Sequence, residues 1–135
     1  MKLINVAAGV LNQTPLAWDA NKQNIIDAID AAHSLGVSLL CLPELCISGY
    51  GCEDAFYAQN TIDQSMASLL EIVEHTNDIT VSVGLPVRHN NRTINTACLI
   101  SNKRILGFIG KQHLPQNGIH YEPRWFQPWP AGLRE

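Results

Sequence analysis

The chain has 135 residues, a one-domain length, with 46% hydrophobic and 16% charged residues; that composition supplies a packed core and excludes a disordered chain. A net charge of −3 leaves no basic face to hold a phosphate backbone, so nucleic-acid binding is set aside, and no apolar run reaches the roughly 20 residues of a membrane span. The four cysteines, Cys41, Cys46, Cys52 and Cys98, include no C-x-x-C pair, so no zinc site is read from them, and reduced thiols in a cytoplasmic protein are the expectation.

The opening MKLINVAAGVLNQ has one lysine and a short apolar run without a clear cleavage site, and residues 3–10 read as a first buried strand rather than a signal peptide. Residues 13–18 form a loop in which Pro15 forbids helix. Asp19 is the expected N-cap of a helix whose Ile25, Ile26, Ile29, Ala32 and His33 recur at helical spacing, with Gly36 as its stop. The second strand, 37–42, is apolar on both faces, the pattern of a strand covered on both sides in a parallel or mixed α/β sheet. Pro43 ends its pairing, because proline has no N–H to donate. Glu44 follows, then a loop with Ser48, Gly49 and Gly51, and then Glu53 and Asp54, acids suited to a helix N-terminus.

Thr61 with Gln64 suggests a capping box opening a helix that runs to Thr76, with Met66, Leu69, Leu70 and Val73 inward. Residues 79–85 are a third strand, and 86–92 a turn-rich link through His89-Asn90-Asn91. A fourth strand spans 93–101. Asn102-Lys103 then makes a tight turn into a fifth strand, 104–109. The order is β-α-β-α-β-β-β, an α/β fold. After Gly110-Lys111-Gln112-His113-Leu114-Pro115 the chain becomes irregular and aromatic, with Tyr121, Trp125, Phe126 and Trp129, and carries Glu122.

Glu44 stands at the carboxyl end of a buried strand, where open α/β sheets place their chemistry. Lys111 stands in the same relation to the fifth strand. If strands two and five are near each other in one sheet, the two charges meet on one rim, each favouring the ionised form of the other. A fixed ammonium is also a ready stabiliser of a developing oxyanion. Each feature has a plainer reading. Glu44 can cap a loop, and Lys111 can be a solvated strand-end lysine. Cys46 and Cys52, tempting as nucleophiles beside Glu44, read more readily as small buried hydrophobes. His113 suits a structural hydrogen bond better than a base, and the late aromatics suit core or interface.

Together the residues are more specific. LPELCISGYGCED, then GLPV, then INTACLISNKRILGFIGKQHLP resemble the nitrilase superfamily, whose glutamate follows a buried strand in a P-E step and whose lysine lies in a G-x-x-x-K-x-x-L-P pattern. The GYGCEDAF version resembles the glutaminase domains of the NAD+ synthetase family. The resemblance implies that the chain is part of a four-layer α-β-β-α sandwich bearing a Glu-Lys-Cys triad. It implies Glu44 as general base, Lys111 as stabiliser of the tetrahedral intermediate, and Glu122, on a looser match, as a second glutamate that orients substrate or water. It also implies glutamine as substrate, ammonia and glutamate as products, and ATP with Mg2+ in a further domain that consumes the ammonia.

All four cysteines precede Lys111, whereas the family nucleophile follows it. Residues 1–135 therefore read as the N-terminal portion of a nitrilase-like glutaminase domain, truncated before its nucleophile and inactive alone, with no cofactor or metal of its own. Such a half-domain is expected to leave apolar sheet surface bare and to associate with another copy, a homo-oligomer. Two other readings stand beside this one: another nitrilase-type amidase or carbamoylase using the same Glu44 and Lys111, and a non-catalytic interaction module.

Overall fold

The computed structural model describes residues 3–135. The elements are β1 (Val6–Ala8), α1 (Trp18–Ser34), β2 (Leu39–Cys41), a 3-10 turn (Glu53–Tyr57), α2 (Gln59–Val73), β3 (Thr80–His89), β4 (Arg92–Ser101) and β5 (Arg104–Gly110), followed by the single 3-10 turns Gly118–His120 and Glu122–Arg124. The strands form one sheet in the order β1-β2-β3-β4-β5. β1, β2 and β3 run parallel, and the last two pairings are antiparallel hairpins. The β-α-β-α-β-β-β order expected from the sequence is the order observed.

Helix α1 buries Ile25, Ile29 and Ala32, and α2 buries Ile62, Leu69, Ile72 and Val73. Both lie on one face of the sheet, against Leu40, Val81, Val83, Leu85, Cys98 and Ile100. Each fully buried Ile or Leu there stabilises the fold by about 1.5–3 kcal/mol. Lys22 of α1 reaches Glu71 of α2 at 2.7 Å. Gly36 ends α1 in the left-handed region at φ +67°. Its N–H bonds the carbonyl of His33, and the Val37 N–H that of Ala32, the paired bonds of a Schellman cap.

Several expectations need correction. The cap of α1 is Ala17, not Asp19, which lies inside the first turn, and His33 faces solvent. The cap of α2 is Ala58, with no side-chain bond. The 3-10 turn at Glu53–Tyr57 delivers the chain to helix three residues before the expected Thr61–Gln64 box, so Thr61 is a buried helix residue. Leu70 points outward, 57% exposed, and Ile72 takes the inward place. β3 runs through Pro86 to His89, where a link was expected. Pro86 pairs with Asn95 on one side, while β2 has already stopped opposite Ser82 on the other, so the missing N–H costs no ladder bond. The turn contracts to Asn90-Asn91, both at positive φ, and Asn102-Lys103 repeats that geometry in the next hairpin.

The first two strands are short, and only one face of β2 is covered. Leu40 is 2% exposed, but Leu39, Cys41 and Val6 lie on the opposite face with Ile109 of β5, and all four are exposed. That open face is crossed at one place. A Cβ on Gly84 of β3 would sit 2.2 Å from the Leu45 nitrogen and 2.9 Å from the Pro43 carbonyl oxygen. Only a residue without a side chain lets the loop after β2 lie flat across β3 there.

Gly84→Ala is expected to lower stability by about 1–3 kcal/mol, because the new methyl meets backbone rather than a movable side chain. Urea unfolding of the two proteins measures it, and a midpoint equal to wild type would remove the close crossing from the account.

Candidate active site

β2 and β5 are not neighbours: β3 and β4 lie between them. At about 4.8 Å per strand, residues at their ends stand roughly 14 Å apart, too far for a glutamate and a lysine to touch. Two departures from the sheet bring them together. Past Cys41 the chain leaves its partner after one last bond, Leu42 N–H to the Ser82 carbonyl, and turns across Gly84. Past Gly110 the Lys111 N–H bonds the Asn95 carbonyl of β4 at 2.8 Å, and the Lys111 carbonyl accepts from Trp129 N–H at 2.9 Å.

The loop that carries Glu44 is tied down on all sides. Ile47 N–H bonds the Gly84 carbonyl at 3.1 Å, and Leu16 N–H bonds the Ser48 carbonyl at 2.8 Å. The Gln13 amide donates to the Cys46 carbonyl at 2.7 Å. Asn21 of α1, only 1% exposed, donates to the Ile47 carbonyl at 3.2 Å and exchanges two bonds with the Thr14 backbone. Glu44 therefore projects from a fixed frame.

The Lys111 ammonium lies 2.6 Å from Glu44 Oε1 and 2.9 Å from Glu122 Oε1. Glu122 is 1% exposed, with its carboxylate fully engaged. Oε1 accepts also from the Tyr50 hydroxyl at 2.7 Å, and Oε2 from Asn95 Nδ2 at 3.5 Å. Asn95 Nδ2 donates to Glu44 Oε1 at 2.5 Å. Burial pulls the Lys111 pKa down, but the hydrogen bonds it donates to Glu44 and Glu122 outweigh it and hold the ammonium above its ordinary value. Burial, then the bond to Glu122, pushes the Tyr50 phenol up, so it remains a donor.

Glu122 belongs to no strand or long helix. Its turn is anchored by the Asp54 carboxylate, which accepts from Arg124 Nε and Nη2 at 2.9 Å each and from Trp125 Nε1 at 3.0 Å. Phe126 packs on Phe56 with ring centroids 4.8 Å apart. The aromatic stretch expected to be core or interface divides accordingly: Phe126 is buried, Trp125 and Trp129 half-buried, Tyr121 exposed.

Glu44 and Lys111 separate two clefts. One, of about 310 Å³, opens on the bare sheet face and is lined by Cys41, Ser82, Ala97 and Ile109. The other, of about 360 Å³, has Tyr50, His120 and Glu122 on its walls. Cys46, Cys52 and Cys98 are buried, and burial pushes the Cys46 and Cys98 thiols up to about 11. Cys41 is the exposed cysteine. His113 is exposed and its ring makes no hydrogen bond among the described residues, so the structural role expected for it is not found. Among the described residues no three His, Cys, Asp or Glu side chains are grouped to hold a metal ion, and no helix is long and apolar enough to cross a membrane. Sequence reasoning brought Glu44, Lys111 and Glu122 forward and missed Asn95, Tyr50, Gly84 and Asp54. Of these only Tyr50 and Asp54 fall in the stretch around Glu44 that drew attention.

Residues 5–134 match the carbon-nitrogen hydrolase family model. The chain is 39% identical over 132 residues to the glutamine-dependent NAD(+) synthetase of Dictyostelium discoideum, covering 96% of this chain and 18% of that protein. Its fold superposes with a TM-score of 0.94 on a glutamine-dependent NAD(+) synthetase from Cytophaga hutchinsonii, at 45% identity, covering 96% of this chain and 22% of that one. An amidase of the nitrilase superfamily from Nesterenkonia AN1 superposes with a TM-score of 0.79 at 25% identity, covering 95% and 49%. The chain thus spans about 18% of the length of the curated relatives it matches. With its sheet, its paired acids and its bridging lysine, the chain belongs to the carbon-nitrogen hydrolase family.

Proposed function

We propose that these 135 residues supply the base and the electrophilic ammonium of a glutaminase, within an enzyme that passes the released ammonia to an ATP- and Mg2+-dependent step converting deamido-NAD+ to NAD+. The observation that carries this reading is the Glu44–Lys111–Glu122 cluster, in which one ammonium holds two carboxylates at 2.6 and 2.9 Å. Similarity to proteins named glutamine-dependent NAD(+) synthetase supports glutamine as the amide. ATP and Mg2+ have no step at this cluster; in such an enzyme that chemistry falls to another domain.

The hydrogen-bond pattern supports a division of roles. Glu44 Oε1 accepts from Lys111 and Asn95, while Oε2 has no partner among the described residues. Oε2 is the atom to take a proton. A lysine ammonium has three N–H donors, and Lys111 spends two on the carboxylates. The third is available to an oxyanion.

The nucleophilic cysteine comes from a segment outside these 135 residues. Its thiol loses the proton to Glu44, and the sulfur adds to the side-chain amide carbon of glutamine. The resulting oxyanion is met by Lys111. As the C–N bond breaks, Glu44 returns the proton to the departing nitrogen, and ammonia leaves a thioester. Water then attacks the thioester, giving its proton to Glu44, and glutamate departs with the thiol restored. Glu122 steadies Lys111 throughout. The sum is glutamine plus water to glutamate plus ammonia.

In the full-length enzyme that carries this chain, Glu44→Gln is expected to cut ammonia release from glutamine by about 10²–10⁴-fold, the usual contribution of a general base. Activity within twofold of wild type would sink the base assignment. The Glu44 side chain is 41% exposed, so this variant should melt near wild type. Lys111→Met should behave differently. It leaves the buried Glu122 carboxylate without its ammonium and is expected to lower stability by about 3–5 kcal/mol, readable in chemical denaturation.

The 135-residue chain by itself is expected to release no ammonia, and Cys41→Ala should leave that blank unchanged. Ammonia production by the isolated chain that vanished in Cys41→Ala would make Cys41 the nucleophile and overturn the proposal.

A further inference from the structure

The residues that bear the three charges come from three separate pieces of chain, yet one residue bonds all three of them, Lys111 through its backbone. The Asn95 carbonyl accepts the Lys111 N–H at 2.8 Å. Its side-chain Nδ2 donates to Glu44 Oε1 at 2.5 Å and makes a longer contact to Glu122 Oε2 at 3.5 Å. Asn95 is 3% exposed and lies in the middle of β4, paired across the hairpin with Pro86 of β3. Unlike Glu44 and Glu122, it is placed by regular sheet. The amide can turn only one way, because its oxygen facing two carboxylates would be repelled while its NH2 is attracted.

We propose that Asn95 is the positioning residue of this site, a neutral strand-borne donor that holds Glu44 Oε1 and so leaves Oε2 aimed at the nucleophile's proton. The inference rests on the glutaminase reading above. A neutral donor suits the place. Two carboxylates and one ammonium already leave the cluster with one net negative charge. A cationic donor in place of Asn95 would cancel that charge, and an acid would add a third carboxylate. The groups around Glu44 that titrate or carry charge are Lys111 and Glu122 from the chain after β5, Tyr50 from its own loop, Cys41 at the end of β2, and His120 on the wall of the second cleft. Asn95 is the uncharged donor that bonds Glu44 itself.

Without the Asn95 donor Glu44 leaves its aligned position, and the expected effect is a loss in kcat of about a hundredfold, with KM for glutamine little changed.

The experiment uses the full-length enzyme with Asn95→Ala and Asn95→Ser, the serine retaining a shorter donor. Each is followed by its melting temperature and by kcat and KM for glutamine-dependent ammonia release. The expected result is a kcat about a hundredfold lower at little-changed KM in Asn95→Ala, with partial return in Asn95→Ser. Two folded variants with the wild-type kcat would overturn the proposal. So would failure of both to fold, which would make Asn95 a determinant of the fold rather than of the site. Glu44→Gln in the same assay separates the two levels: if it stays active, the glutaminase reading fails; if it is dead while the Asn95 variants keep the wild-type kcat, only the positioning role fails.

Discussion

A single ammonium between two carboxylates organises the end of this sheet. The carboxylates are unequal. Glu122 is sealed from water and meets donors at both oxygens, whereas Glu44 is 41% exposed and meets them at one. A buried carboxylate without partners would be strongly destabilising, so Lys111, Tyr50 and Asn95 are required wherever Glu122 is buried. Once Lys111 is drawn in to satisfy Glu122, it is also fixed opposite Glu44. The structural need of one acid thus sets the chemical environment of the other.

Much of this frame was readable in the sequence. Apolar periodicity gave both helices, alternation with paired turn residues gave the β3–β4–β5 meander, and the P-E and G-x-x-x-K-x-x-L-P steps marked Glu44 and Lys111. What could not be read was distance. Strand ends with two strands between them gave no reason for contact, because contact depends on a loop lying across Gly84, and a glycine in a strand run looks like any other until the crossing chain is seen. Asn95 was hidden for a related reason. Polar residues in strands usually face solvent, and nothing in I-N-T-A says that this one faces inward between two acids. The errors at Asp19 and Thr61 share another cause. A polar residue near a helix start is a good cap only if the incoming chain places it there, and here preceding turns set the entry points at Ala17 and Ala58.

The two faces of the sheet carry different duties. The helix-covered face holds nearly all of the large core and makes the unit cohesive. The other is crossed by the Glu44 loop and otherwise presents Val6, Leu39, Cys41 and Ile109.

Glu122 hangs from the surface clamp at Asp54 rather than from a strand. Brought in on a separate turn, it reaches the ammonium at 2.9 Å while Glu44 lies at 2.6 Å, so the two carboxylates share one cation. Asp54 reaches that turn through a two-point bond to Arg124 and a third to Trp125, an arrangement that fixes direction as well as distance. Exposed pairs of this kind add little to global stability. Their effect is local: they choose among conformations of a segment that has no ladder of its own, and the conformation chosen is the one that delivers Glu122 to Lys111.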